Sequence, residues 1–273
     1  MSTLRLLTVI FTGISLITLS GCATTTKGGA VGADRSQFML ISSEQLEQTA
    51  ALGYTKLKTE AEEKGVLNKD EKLLQRVRAI ADRIEPQTGV FRRDAPGWKW
   101  EVNIIDSNEL NAFAMPGGKI MFYSGLINRL QLTDNEIAVV MGHEISHALR
   151  EHSREQVSQA IAAQAAMGVG SAALGLSANT TQLAGVVYDA LIATHFSRTD
   201  EAEADRIGLE LTARAGYDPR AAVTLWKKMM NAKSGGQPPE FLSSHPADST
   251  RIQQIESLLP TVMPLYEAAR RRG

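Results

Sequence analysis

The stretch His143-Glu144-Ile145-Ser146-His147 constrains this chain more than any other. It has the form H-E-x-x-H. Side chains four residues apart share one face of an α-helix, so His143 and His147 can point at a single ion only if the stretch is helical. Glu144 then sits beside that face. There it can take a proton from a metal-bound water without being a ligand itself. The flanks predict the helix. Thr133 is a good N-cap, and Glu136 three residues later completes a capping box. Ala138, Met141, Ile145 and Leu149 form the apolar stripe that follows.

Two imidazoles do not complete a catalytic zinc site, which needs a third protein ligand and an open corner. The extended pattern H-E-x-x-H-x-x-G-x-x-H is excluded, because Arg150 stands at the glycine position and Ser153 at the last histidine position. A glutamate from a later helix, followed four residues on by an aspartate, is the other solution. Glu201 and Asp205 fit it and share a helix face, while Glu203 points elsewhere. Glu201 is thus the expected third ligand. Asp205 is expected to accept the free ring N–H of His143 and fix its tautomer. His152 lies five residues after His147, off the ligand face, and is read as structural. His195 is read as a packed or hydrogen-bonded residue.

The remaining pattern is mostly helical with one small sheet, an α+β layout. Helices are expected from Ser42 or Ser43 to about Lys64 and from Asp70 to Ile84. Others are expected at 124–130, 198–215, 219–232, 248–258 and 263–271. Alternation over 98–106 predicts a strand. Residues 111–115 run through the turn signal Pro116-Gly117-Gly118 into a returning strand at 119–123, giving three or four strands in all. Residues 160–176 are small and apolar, too short and interrupted for a confident span, and suit a close-packed helix or mobile hairpin. A helix is expected at 181–193, and 233–239 reads as a flexible loop.

With 273 residues, 43% of them hydrophobic, the chain can bury one sizeable core. A net charge of −1 argues against nucleic acid as a partner. The N-terminus reads as a targeting signal: Arg5, an apolar stretch over Leu6–Leu19, then Leu19-Ser20-Gly21-Cys22. The last four residues resemble a lipobox, with the sole cysteine, Cys22, at the lipidation position. Ala23 after it resembles an outer-membrane address. The expected organisation is a lipoprotein signal peptide at 1–21, a flexible tether at 22–41 and a catalytic domain at 42–273. The tether is expected because ATTTKGGAVGAD has little to bury.

The motifs together resemble a family. HEISH followed by SRTDEAEAD, with Asn111-Ala112-Phe113-Ala114-Met115-Pro116-Gly117-Gly118 and the late His245-Pro246 to Arg251-Ile252 segment, is similar to the gluzincin metallopeptidases of HtpX, BepA and the CAAX prenyl protease. The lipobox makes the chain most like the small lipoprotein, LoiP-like branch. The likeness covers roughly residues 70–260. It implies a mostly helical zincin-type domain with one zinc ion, acting as a metalloendopeptidase on protein or peptide substrates.

The expected chemistry places zinc on His143, His147 and Glu201, with Glu144 as general base. The resemblance offers His245 and Arg251 as donors to the oxyanion. His245 also has a second role open to it: occupying the fourth corner of zinc and holding the enzyme closed. Ala112, Phe113, Ala114 and Met115 are the expected strand edge on which an extended substrate pairs. Such binding suits quality control of misassembled envelope proteins at the periplasmic face of the outer membrane, with envelope assembly machinery as a partner. The competing class is a chaperone-like or scaffold lipoprotein that holds partners on a peptidase fold. A small-molecule metallohydrolase fits the strand edge less well.

Overall fold

The computed structural model describes residues 22–166, 195–232, 239–246 and 249–272. The expected signal peptide, most of the small-residue stretch 160–176, the helix at 181–193 and nearly all of the loop at 233–239 lie outside the described residues.

Two very short strands, β1 (Cys22–Ala23) and β2 (Gln37–Phe38), pair antiparallel near the start. Helix α1 (Ser43–Glu63) is capped by Ser42 in a capping box with Gln45. Helix α2 (Glu71–Ile84) is capped by Asp70, and Leu73, Leu74, Val77, Ile80, Ala81 and Ile84 are all buried, as the period of 3.6 demands. The sheet follows as β3 (Glu101–Ile105), β4 (Ala112–Met115) and β5 (Lys119–Tyr123). Its order is β3-β5-β4, with β3 parallel and β4 antiparallel to the central β5. Gly117 and Gly118 both have positive φ in the β4–β5 turn, and a Cβ on Gly118 would lie 2.8 Å from the Trp100 ring. Only glycine fits there.

After α3 (Ser124–Arg129) comes α4 (Asp134–Leu149), opened by the Thr133–Glu136 capping box. Every residue of α4 from Glu136 to Leu149 is buried. It is the central helix, packed against β4, α2 and the later helices α6 (Arg198–Arg214) and α7 (Ala221–Asn231). Helix α5 (His152–Ala166) precedes α6, and a short α8 (Glu240–Ser244) leads to α9 (Ser249–Arg270). The last is continuous across Pro260 and Pro264, where two helices were expected. No helix among the described residues is long and apolar enough to cross a membrane.

One expectation is overturned. Residues 23–41 are not a loose tether but a strap folded onto the domain. Val31, Ala33, Met39 and Ile41 are buried, and Val31 and Ala33 join the main core. The Ala30 and Val31 amides donate to the fully buried Glu210 at 2.7 and 3.2 Å. Gly29 has φ +59, and a Cβ there would lie 2.4 Å from the Phe91 ring. The composition is indeed too poor to order the segment alone. Its order comes from the groove it fills, where small residues allow close backbone approach.

Candidate metal centre

Helices α4 and α6 cross at Gly142 and Gly208, and the absence of side chains there brings Glu201 and Asp205 up against His143 and His147. His143 Nε2 and His147 Nε2 are 3.2 Å apart. Glu201 reaches both, Oε2 lying 3.5 Å from His143 Nε2 and Oε1 3.3 Å from His147 Nε2. His245, just after α8, adds its Nδ1 at 3.2 Å from His143 Nε2 and 2.8 Å from Glu201 Oε1. Atoms of these four buried residues all lie within 4.8 Å of one another. Tetrahedral ligands about 2.0–2.1 Å from zinc stand about 3.3 Å apart. The spacings of His143, His147 and Glu201 are close to that value and suit a zinc ion.

Protonation agrees with this. Burial drives the His147 pKa well below its ordinary value, which leaves a neutral imidazole. Burial pushes the Glu201 carboxyl the other way, but the charges of His245 and Arg251 outweigh it and hold Glu201 ionised. A neutral His147 and an ionised Glu201 are forms that bind metal, whereas His245, where burial is outweighed by the Glu201 and Glu144 charges that raise the pKa, must give up a proton to join them. Glu144 is fully inside, and burial raises its pKa against the pull of His245 and His143. Its Oε1 makes no hydrogen bond to any described residue and lies 3.5 Å from His245 Nε2. A water-sized cavity of about 20 Å³ opens between Glu144, His147, His245 and β4.

Each histidine of the motif has a backing partner. His143 Nδ1 is 3.0 Å from Asp205 Oδ1, as the sequence predicts. His147 Nδ1 is 2.9 Å from His152 Nδ1, and His152 Nε2 is 3.1 Å from Glu203 Oε2. His152 and Glu203 were missed as contributors to the site. His195 is exposed rather than packed. Phe196 stacks on His147 with centroids 3.9 Å apart.

Arg251 does not fit its expected oxyanion role. Its Nε and Nη2 bind Asp205 at 2.7 and 2.8 Å, and its Nη1 lies 2.6 Å from Glu201 Oε2. The guanidinium also stacks 3.6 Å over Trp226. Two ionised carboxylates and an aromatic face hold it as a clamp on the ligand helix α6. β4 is an edge strand, and Ala112, Phe113 and Ala114 line the cavity. Met115 is fully buried in a second apolar cluster instead.

Comparison with known proteins agrees with this geometry. The profile of peptidase family M48 matches residues 72–259, which include every residue of the centre. The chain belongs to peptidase family M48. M48 relatives of known name include the mitochondrial metalloendopeptidase OMA1 of Bos taurus, 31% identical over 255 residues, 85% of this chain and 46% of the relative. The OMA1 of Schizosaccharomyces pombe is 37% identical over 163 residues, 59% of this chain and 47% of the relative. The beta-barrel assembly-enhancing protease of Escherichia coli K12 is 32% identical over 173 residues, 59% of this chain and 35% of the relative. The chain spans less than half the length of these curated relatives.

Proposed function

We propose that this M48 chain is a zinc-dependent metalloendopeptidase, anchored through Cys22, that cleaves unfolded or misassembled proteins of the bacterial envelope. The observation that carries the catalytic reading is the convergence of His143, His147, Glu201 and His245 beside the Glu144 oxygen that bonds to no described residue. Zinc, when bound, lowers the pKa of a water to about 7 and polarises the scissile carbonyl. Glu144 accepts the proton and passes it to the leaving amine, a task that suits a carboxyl whose pKa burial has raised. Asp205 braces His143 and His152 braces His147 at Nδ1, so that Nε2 of each ring would be free to hold the ion. The β4 edge orients an extended substrate by backbone hydrogen bonds, so the site reads main chain more than side chain.

The likeness to the beta-barrel assembly-enhancing protease supports the envelope setting and a link to assembly machinery. The Leu19-Ser20-Gly21-Cys22 sequence supports the anchor, and Ala23 after it the outer-membrane address. A second reading concerns regulation. His245 Nδ1 lies among the ligand atoms, where it would compete with a substrate oxygen for a bound ion, which favours a closed resting form.

Glu144→Gln is the decisive variant. Its zinc content should equal that of the parent while casein cleavage falls by about 10²–10⁴-fold. A parent protein that binds no zinc and cleaves nothing would overturn the reading in favour of a scaffold. Glu144→Gln expressed in the envelope should also retain its substrates for identification. Cys22→Ser should move the protein from the membrane fraction to the soluble one.

A further inference from the structure

We propose that the strap, residues 23–41, is the positioning element of the metal ligand His147, acting through Arg35, Glu203 and His152. The proposal rests on the zinc reading above. His143 and His147 are backed differently. Asp205, on α6, reaches His143 directly. His147 leans on another imidazole, and that imidazole leans on Glu203. His152 Nε2 donates to the Glu203 carboxylate, and its Nδ1 faces His147 Nδ1. The His147 ring is thereby braced at Nδ1 with Nε2 turned toward His143 and Glu201. Its orientation is therefore set two residues away, at the Glu203 carboxylate.

Two cations hold Glu203 there: Arg150, whose Nε and Nη2 bind it at 3.0 to 3.1 Å, and Arg35 of the strap. Arg35 donates to both Glu203 oxygens from Nε at 3.1 Å and Nη2 at 3.2 Å. The same guanidinium forks onto Glu155 at 2.7 and 2.8 Å and reaches Asp200 at 3.3 Å. Three carboxylates are thus gathered around one cation that α4, α5 and α6 do not supply. The second cation at Glu203, Arg150, is also strap-held. Its Nη1 donates to Thr26 Oγ1 at 3.1 Å and its Nη2 to the Arg35 carbonyl at 3.0 Å. Its own carbonyl accepts from Thr25 at 3.1 Å and Gln37 at 2.8 Å. Without the strap, Glu155, Asp200 and Glu203 would repel one another around Arg150 alone, and Glu203 would leave His152.

The test is zinc affinity of the full chain, by competition with a chromogenic chelator, in a double-mutant cycle. Arg35→Met keeps the packing of the side chain and removes its charge. It should weaken zinc binding about tenfold, the lower end of what lost backing partners cause. In a His152→Ala background the same substitution should change affinity by less than about twofold, because the connection is already cut. Glu203→Gln, which keeps shape and weakens the acceptor, should act in the same direction as Arg35→Met. Val77→Ala, a core variant outside the Arg35, Glu203 and His152 chain, should lower Tm without changing zinc affinity. Equal losses for Arg35→Met in both backgrounds, unchanged affinity in Arg35→Met or Glu203→Gln, or an equal loss in Val77→Ala would each overturn the proposal. A parent chain that holds no zinc would instead refute the function proposed above.

Discussion

Gly142 and Gly208 meet backbone to backbone across α4 and α6: a Cβ added to Gly208 would lie 2.8 Å from the His143 amide nitrogen. The crossing sets the distance between the two segments that supply the ligands. Glu201, Asp205 and Gly208 fall at spacings of four and three and share a face of α6. Gly208→Ala should therefore push Glu201 away from the imidazoles. Overpacking of this kind is destabilising by about 1–3 kcal/mol. We expect a lower Tm together with substoichiometric zinc by metal analysis. Full zinc occupancy at the parental Tm would show that the contact is not limiting.

Stripping the metal should destabilise the whole domain, because α4, α6 and the α8 region all contribute to one cluster. Zinc held at about 1,000 times its Kd adds about 4 kcal/mol to the folded state. At about 2–4 °C per kcal/mol for a domain near this size, chelation should lower Tm by about 10 °C. Readdition of zinc should restore it. A Tm indifferent to chelator would contradict the site.

His245→Ala removes one of the four residues of the buried cluster. If the closed form is occupied about nine-tenths of the time, release should raise peptide hydrolysis by about tenfold. Steady-state rates on casein decide between roles. A gain marks His245 as a gate, a deep loss marks it as an oxyanion donor, and no change marks it as packing.

Glu85 offers a pH test away from the metal. Burial, with the charge of Asp82 adding to it, lifts its carboxyl to about 7. The folded state therefore holds this proton more tightly than the unfolded chain, whose value is near 4.5. Stability from this group is complete below about pH 4.5 and is lost as pH rises through 7. Glu85→Gln should match the parent in Tm at pH 4.5 and exceed it at pH 8. Identical Tm differences at both values would disprove the assignment.

The parts of the site that lie on regular helices were legible in the sequence. Helical spacing alone places His143 with His147 and Glu201 with Asp205, and the structure keeps both pairs. His152 was misjudged because that spacing does not apply to it. α4 stops at Leu149, Arg150 caps it, and Glu151 takes a positive φ of 51° that turns the chain back. His152 thus opens a new helix and returns to His147 by a route no helical wheel contains. The strap was misread for a different reason. Its order is wholly tertiary, and composition reports only what a segment can do alone.

Ala30 reaches Glu210 across 180 positions of chain, and Arg35 reaches Glu203 across 168. Contacts of such sequence separation carry a high loop-closure entropy and slow the folding of topologies that depend on them. A ribosome-bound chain that has not yet reached residue 210 already offers Arg150 and Glu155 to the strap, but not the α6 carboxylates Glu203 and Glu210 together. The residues translated first among those described can therefore complete their contacts only once α6 has been made.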